Sequence, residues 1–202
     1  MTSTPPLPPQ STDFLRRKAW DRALDASGTA SLFEARAGRL GGRLNALSFA
    51  GFGIPIIVGI VAAIGLPASA VDVVLIVAAA LGGIQLVWSL WSLVANWSGK
   101  NSHAIQSMMT NRQLAESYTR LATQPPPDVD DLQSALDVIE ARDFAQQDSD
   151  LANQITRQEK RFGMRCALFS RGKPCAGCTI VPTSLKPTDC GVCGDFPKRW
   201  AK

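Results

Sequence analysis

LNALSFAGFGIPIIVGIVAAIGL, Leu44 to Leu66, and VDVVLIVAAALGGIQLVWSLWSLV, Val71 to Val94, are the stretches that decide the fold. At about 1.5 Å of rise per residue, roughly twenty apolar residues in a helix cross the hydrocarbon core of a bilayer. Both stretches meet that length. Between Arg43 and Lys100 only Asp72 is ionisable. A soluble domain spreads its apolar residues over periodic segments, whereas this chain concentrates them, which is a membrane signature. The pattern predicts a transmembrane hairpin over 44–97, with spans at 44–66 and 71–94 and a short turn at Pro67–Ala70. Pro55 inside the first span is tolerable because neighbouring groups can satisfy the freed carbonyl. The competing reading, a buried hairpin in a soluble protein, does not suit two consecutive spans of this length.

Working outward, the flanks fix an orientation. Arg36, Arg39 and Arg43 precede the first span, Lys100 and Arg112 follow the second, and the connection carries no Lys or Arg. The positive-inside rule then places both termini in the cytoplasm. Arg39, Arg43, Trp97 and Lys100 are the expected membrane-interface residues, with Trp97 suited to an aromatic belt. Asp72 falls at the outer interface, where ionisation is cheap.

Upstream, residues 1–11 form a proline-rich tail expected to be disordered. Residues 12–43 read as an amphipathic helix, or two with a kink at Gly28, since glycine costs roughly 1 kcal/mol in a helix interior. Its basic residues favour an anionic lipid surface, so membrane lipids are an expected partner. Nucleic acid is not expected, because no aromatic-basic motif accompanies the charge and the net charge is only +4. No signal peptide precedes the first apolar run, which begins about forty residues in and is too long for a cleavable signal core. Downstream, 98–161 reads as cytoplasmic helices broken at Gln124-Pro125-Pro126-Pro127, with Asp128 or Asp130 as the next cap and apolar positions running from Leu132 to Ile155. These helices are expected to pack together with the N-terminal one.

The tail, 162–202, holds all five cysteines: Cys166, Cys175, Cys178, Cys190 and Cys193. The last four form two CxxC pairs separated by eleven residues, with Gly194 following the second pair. Two such pairs are what a tetrahedral thiolate site needs: each curls as a knuckle, and the glycine permits a left-handed turn. A reducing cytoplasm argues against disulfides. A thioredoxin-type redox pair lacks its strand–helix surroundings. Structural Zn2+ on Cys175, Cys178, Cys190 and Cys193 is therefore expected, an iron–sulfur cluster being the alternative. A site closed by four thiolates has no position for substrate or water and catalyses nothing. Cys166 lies outside the pattern as an ordinary thiol.

Spacing by three and four aligns Ala78, Gly82, Gln85, Ser89, Ser92 and Asn96 on the second span, and Ser48, Gly51, Pro55, Gly59 and Ala62 on the first. These small and polar stripes either pack the hairpin or, in several copies, line a lumen. His103, the sole histidine, reads as a solvated residue. No nucleophile–base pair, phosphate loop or paired carboxylate with defensible spacing is present, so an enzyme is not expected.

The spacing Cys175-x2-Cys178-x11-Cys190-x2-Cys193 is that of the mobilome CxxCx(11)CxxC proteins. The stretch AWDRALDASGTASLFEARAGRL, Ala19–Leu40, followed by two spans, resembles that family and the wider SLATT group of two-transmembrane effectors. The resemblance covers nearly all the chain after the proline-rich tail. It implies a bacterial inner-membrane protein of mobile elements or anti-phage defence loci. It implies a homo-oligomer that disrupts or perforates the membrane when a sensor protein from the same locus, or a nucleotide signal, triggers it. The alternative is a membrane-anchored adaptor whose zinc knuckle binds a partner protein or nucleic acid. The fold class expected throughout is an all-α membrane protein.

Overall fold

The computed structural model describes residues 11–63 and 68–200. Residues 1–10 of the expected disordered tail at 1–11, the last three residues of the expected first span and Pro67 of the expected turn Pro67–Ala70 lie outside these residues, as do the side chains of Ala62, Ala68 and Ser69; Ala68 to Ala70 open helix α2 instead of turning. The described residues form five helices and no strand: α1 (Thr12–Ala63), α2 (Ala68–Val94), α3 (Trp97–Thr123), α4 (Val129–Leu151) and α5 (Arg157–Arg171). A short 3-10 turn, Lys198–Trp200, closes the described chain. Contacts group Met1–Ala35 with Ile105–Lys202 in one unit, and Arg36–Ala104 in a second.

The first unit is a helical bundle. Leu15, Ala19, Ala23 and Ala26 recur at helical spacing on α1 and are buried against Leu114, Ala115, Tyr118 and Ala122 of α3 and Leu132 and Leu136 of α4. Alanine dominates the α1 stripe, so the helices approach closely and stay close-packed. Polar pairs fix the register of α3 on α4. The Tyr118 hydroxyl donates to Asp143 at 3.0 Å, and the Asn111 amide to Asp150 at 2.9 Å. Both carboxylates are buried, and Gln147 and Gln146 satisfy their second oxygens at 3.0 and 2.7 Å. Burial and the neighbouring Asp143 push the Tyr118 hydroxyl upward, so it stays a donor.

Part of the basic stretch read as lipid-facing is committed to this bundle. Lys18 and Arg22 pair with Glu140 of α4 at 2.9 and 3.3 Å, and Arg16 donates to the Ala122 carbonyl at 3.1 Å. A cation paired with a buried carboxylate is held by its own fold first; its attraction to a lipid surface is correspondingly weaker.

Three boundaries differ from the sequence reading. First, α1 runs without a break from Thr12 to Ala63, through Gly28, Gly38, Gly41, Gly42 and Pro55. Gly28 is not a kink. A Cβ there would stand 3.2 Å from the Gly163 carbonyl group, and one on Gly163 would overlap the Gly28 carbonyl oxygen, so the pair lets α1 and α5 touch backbone to backbone. Second, α4 stops at Leu151 and the chain turns through Gln154 at a φ of 50°. The helical period continuing to Ile155 is therefore coincidental. Third, part of the tail is helix α5. Thr156 caps it by accepting from the Glu159 N–H, while the Glu159 carboxylate accepts from the Thr156 N–H, a reciprocal capping box. Gly172, at a φ of 59°, ends it in the left-handed conformation glycine adopts without strain.

The second unit holds the C-terminal part of α1 and all of α2; both helices are long and apolar enough to cross a membrane, and no residue of either helix's most apolar stretch is buried. Phe49 is 78 % exposed, Phe52 77 % and Val94 80 %.

Candidate metal centre

The four cysteines of the two CxxC pairs converge, with every sulfur within 4.8 Å of the others. Across the pairs, Cys175 Sγ lies 4.0 Å from Cys190 Sγ, and Cys178 Sγ lies 3.9 Å from Cys193 Sγ. A metal with bonds to sulfur of about 2.3 Å at the centre of four thiolates sets them about 3.8 Å apart. A disulfide needs about 2.05 Å. The four sulfurs thus sit where one tetrahedral ion would take them, and they can hold a metal. Cys175 and Cys193 are buried, while Cys178 and Cys190 are partly exposed.

Local backbone makes the two arms alike. The Gly177 N–H points at Cys175 Sγ and the Val192 N–H at Cys190 Sγ, each at 3.4 Å, two residues after the ligand. Such donors favour the thiolate that a metal requires. The Cys190 thiol is held down to about 6, first by the backbone of Cys193 and then by that of Val192. Burial pushes the Cys193 thiol the other way, so the metal-free cluster keeps protons that binding must displace.

The residue after each pair behaves differently from the expectation. Gly194 is not left-handed. It is required because a Cβ would overlap Thr188 Oγ1 and stand 2.5 Å from the Thr188 carbonyl oxygen and 2.9 Å from the Cys190 nitrogen. The left-handed turn falls instead on Thr179, after the first pair, at a φ of 58°.

Helix α5 is the seat of the cluster. Leu168 forms a small core with Cys175 and Cys193, and Leu24 of α1 and Met164 pack against it. Phe162 meets Phe196 and Trp200 edge to face at 5.4 and 5.9 Å, holding the end of the described chain on the same helix. Arg161 pairs with Asp195. Arg165 is only 7 % exposed, donates from Nε to the Ser184 carbonyl at 2.9 Å, and sets Nη1 3.9 Å from Cys193 Sγ. That buried cation beside four sulfurs was not found from sequence. The signal available was the amphipathic spacing of Phe162, Arg165 and Leu168 behind the Thr156-x-x-Glu159 box. Cys166 stands apart from the cluster, its thiol pushed up to about 11 by burial and by Glu34, and so stays protonated.

The other residues singled out in the sequence lie in the second unit. On α2, Ser92 is buried, Ala78, Gln85 and Ser89 are half-buried, and Gly82 is exposed. Gln85 donates to the Leu47 carbonyl at 3.2 Å, joining α2 to α1. Gly51 would place a Cβ 3.5 Å from the Gln85 amide, while Gly59 and Gly82 have nothing within 4 Å. Ser48, Gly51, Pro55 and Gly59 are exposed, whereas Leu44, Leu47, Ala50, Gly53, Ile54, Val58 and Val61 of the same stretch are half-buried. Asn96 is on neither helix: it turns at a φ of 50° and caps α3 by accepting from the Gly99 N–H at 3.2 Å. The Arg43 guanidinium lies 5.6 Å from the centre of the Trp97 ring. Lys100 is exposed and Arg39 half-buried.

Comparison with known families matches residues 16–196 to the family described as Mobilome CxxCx(11)CxxC protein. The chain belongs to that family. The match spans the bundle, both apolar helices and all four convergent cysteines, so the CxxCx(11)CxxC spacing for which the family is described is here the spacing of a single cluster. No curated protein and no solved structure matches the chain.

Proposed function

We propose that this mobilome CxxCx(11)CxxC protein is a non-enzymatic, two-span membrane effector of bacterial mobile-element or anti-phage conflict. In this reading it associates with copies of itself and permeabilises the cytoplasmic membrane, as the SLATT-like plan implies. The observation that carries the reading is the uncovered apolar surface of α1 and α2. A core helix of a soluble protein is buried on most of its length, whereas no residue of the most apolar 18-residue stretch of either helix is. Leaving that much apolar area in water costs about 25 cal/mol per Å², and lipid removes the cost. The basic residues Arg36, Arg39, Arg43 and Lys100 flank the hairpin, which favours a cytoplasmic position for both termini. A reducing cytoplasm in turn suits a structural Zn2+ held by Cys175, Cys178, Cys190 and Cys193.

Gln85 is engaged within the hairpin, which favours packing over a lumen for that residue. The small positions left uncovered, Ser48, Gly59 and Gly82, offer a face for a second copy. Induced expression with a membrane-potential dye tests this. Native chain should fractionate with membranes and depolarise cells, and Gly59→Leu should block depolarisation without preventing insertion, since Gly59 has no neighbour within 4 Å. A folded monomer in the high-speed supernatant would overturn the reading, as would cells that keep their potential under full induction.

A second reading, a membrane-anchored adaptor, is favoured by Ile180, Val181 and Val192, which stand 66, 41 and 42 % exposed on the cysteine-bearing tail. It predicts capture of a partner through these residues with no depolarisation.

A further inference from the structure

The bundle contains a polar groove whose chemistry the membrane reading does not use. It is walled by α1, α3 and the end of α5, has a volume of about 650 Å³, and carries Arg112, Arg120 and Arg171 together with Glu34 and Glu116. Arg171 is its distinctive group. The guanidinium is partly buried, and its Nη2 donates to Ser27 Oγ at 2.8 Å and to Thr119 Oγ1 at 3.3 Å. The Trp20 ring lies 5.9 Å from it on another side. All these partners are neutral. Burial lowers its proton affinity, and no carboxylate acts on it in the opposite sense. The C-terminal end of α5 offers the cation some negative potential, but that leaves the guanidinium's remaining donors without an anion. The guanidinium fork matches carboxylate and phosphate, the anions its remaining donors can still take.

Three neutral partners fix the orientation of Arg171 in advance, which is how an anion receptor avoids ordering costs on binding. The Ser27 and Thr119 hydroxyls donate to the helical carbonyls of Ala23 and Ala115 at 2.7 and 2.6 Å, so they present lone pairs to Arg171 and do not compete for an anion. Arg112 already pairs with Glu34 at 2.9 Å, both half exposed. A ligand carboxylate would offer Arg112 nothing that Glu34 does not supply. A phosphate can engage Arg171 through two oxygens and still present oxygen and charge to Arg120 or Arg112. With Glu34 and Glu116 in the same walls, only an anion of more than one charge gains from entering.

We propose that this groove binds the phosphate group of a small ligand, with Arg171 as the principal contact and Glu34 as the internal competitor for Arg112. The site lies wholly within the bundle, so the proposal stands whether or not the chain permeabilises membranes. The phosphate could belong to a soluble compound or to a lipid headgroup, and two probes separate these sources. The full chain in neutral detergent would be titrated with inorganic phosphate and, separately, with short-chain phosphatidic acid, following the thermal midpoint of the bundle and the 31P linewidth. Saturable protection by both probes assigns a soluble phosphate, and protection by phosphatidic acid alone assigns a headgroup. Arg171→Gln should weaken binding at least about tenfold, the loss expected for a charge-assisted pair. Glu34→Gln should tighten it by freeing Arg112, an effect a merely structural role would not produce and one that survives if Arg171→Gln folds poorly. Absence of saturable binding with either probe overturns the proposal, as does a Glu34→Gln chain that binds no more tightly than the native one.

Discussion

Replacing Arg165 by methionine tests whether the metal centre is tuned from outside its ligands. Methionine keeps the length and apolar stem, so packing beneath the cluster is largely preserved. What is lost is the Nε bond to the Ser184 carbonyl at 2.9 Å and a positive charge 3.9 Å from Cys193 Sγ. At an effective dielectric of about 20, a unit charge pair at that separation is worth about 4 kcal/mol. Desolvation of the guanidinium, which is 7 % exposed, removes part of that. Partners of metal ligands typically change metal affinity about 10- to 100-fold, or about 1.4 to 2.7 kcal/mol. Arg165→Met is therefore expected to bind Zn2+ 10- to 100-fold more weakly, by competition with a chromogenic chelator. Arg165→Lys should fall between, because it keeps the charge but lacks the forked geometry that reaches Ser184 and the sulfur together. An affinity within about twofold of native for Arg165→Met, with helicity intact, would refute the reasoning, because a charge that close must then be fully screened.

Gly163→Ala should lower stability by about 1–2 kcal/mol despite the better helix propensity of alanine, because its Cβ would run into the Gly28 carbonyl group and overpacking costs about 1–3 kcal/mol; thermal denaturation in detergent reads this. Chelation should strip amide-exchange protection from the residues around Cys175, Cys178, Cys190 and Cys193, while the amides around Leu15, Tyr118 and Leu136 keep theirs. Asp25 is pushed above its ordinary value by burial first, with Asp21 and Asp143 adding and Arg22 opposing. A raised carboxyl contributes stability below its unfolded pKa and loses it as pH rises through the folded one. Asp25→Asn should therefore be more stable than native chain at neutral pH, and the difference should vanish in acid when melting is followed across pH.

The two apolar helices were legible because length and composition alone define them; no tertiary information was needed to see Phe49 to Val61 or Val73 to Val94. The convergence of the four cysteines was legible because a tetrahedral thiolate site permits few spacings. Other features hid behind rules that tertiary contact overrides. Gly28 was read as a weak point on helix propensity, yet its lack of a side chain is what α5 requires at Gly163. Asn96 continued the three-and-four spacing of α2, and only its αL turn and its bond to the Gly99 N–H show that the helix has ended. Helix α5 carried a readable capping box at Thr156 and Glu159, but the glycines, prolines and cysteines after it drew the reading toward an irregular tail. Arg165 and Arg171 were simply counted as charge; sequence does not say which cation is buried, nor that one meets sulfur and the other two hydroxyls.

The seating of the cysteine cluster gives the metal a reach beyond its own loop. The small core of Leu168, Cys175 and Cys193, with Phe196 and Trp200 against Phe162, gives residues 172–200 little apolar burial, so a metal held by the four thiolates would supply much of the free energy that orders them. Yet the same cluster rests on Leu24 of α1, while Arg171 ties the end of α5 to Ser27 and Gly163 meets Gly28. These contacts cover little more than one turn of α1, from Leu24 to Gly28, directly beside the groove that Arg171 completes. Releasing a metal from Cys175 and Cys193 would disturb the core they share with Leu168, against which Leu24 packs, and loosen the support beneath α5 and with it the orientation of Arg171. Metal occupancy and the anion binding proposed for the groove should therefore be coupled through α5. By linkage the coupling must run both ways: an anion held by Arg171 should slow the loss of metal from the cysteines by the same factor in affinity that the metal lends to the anion.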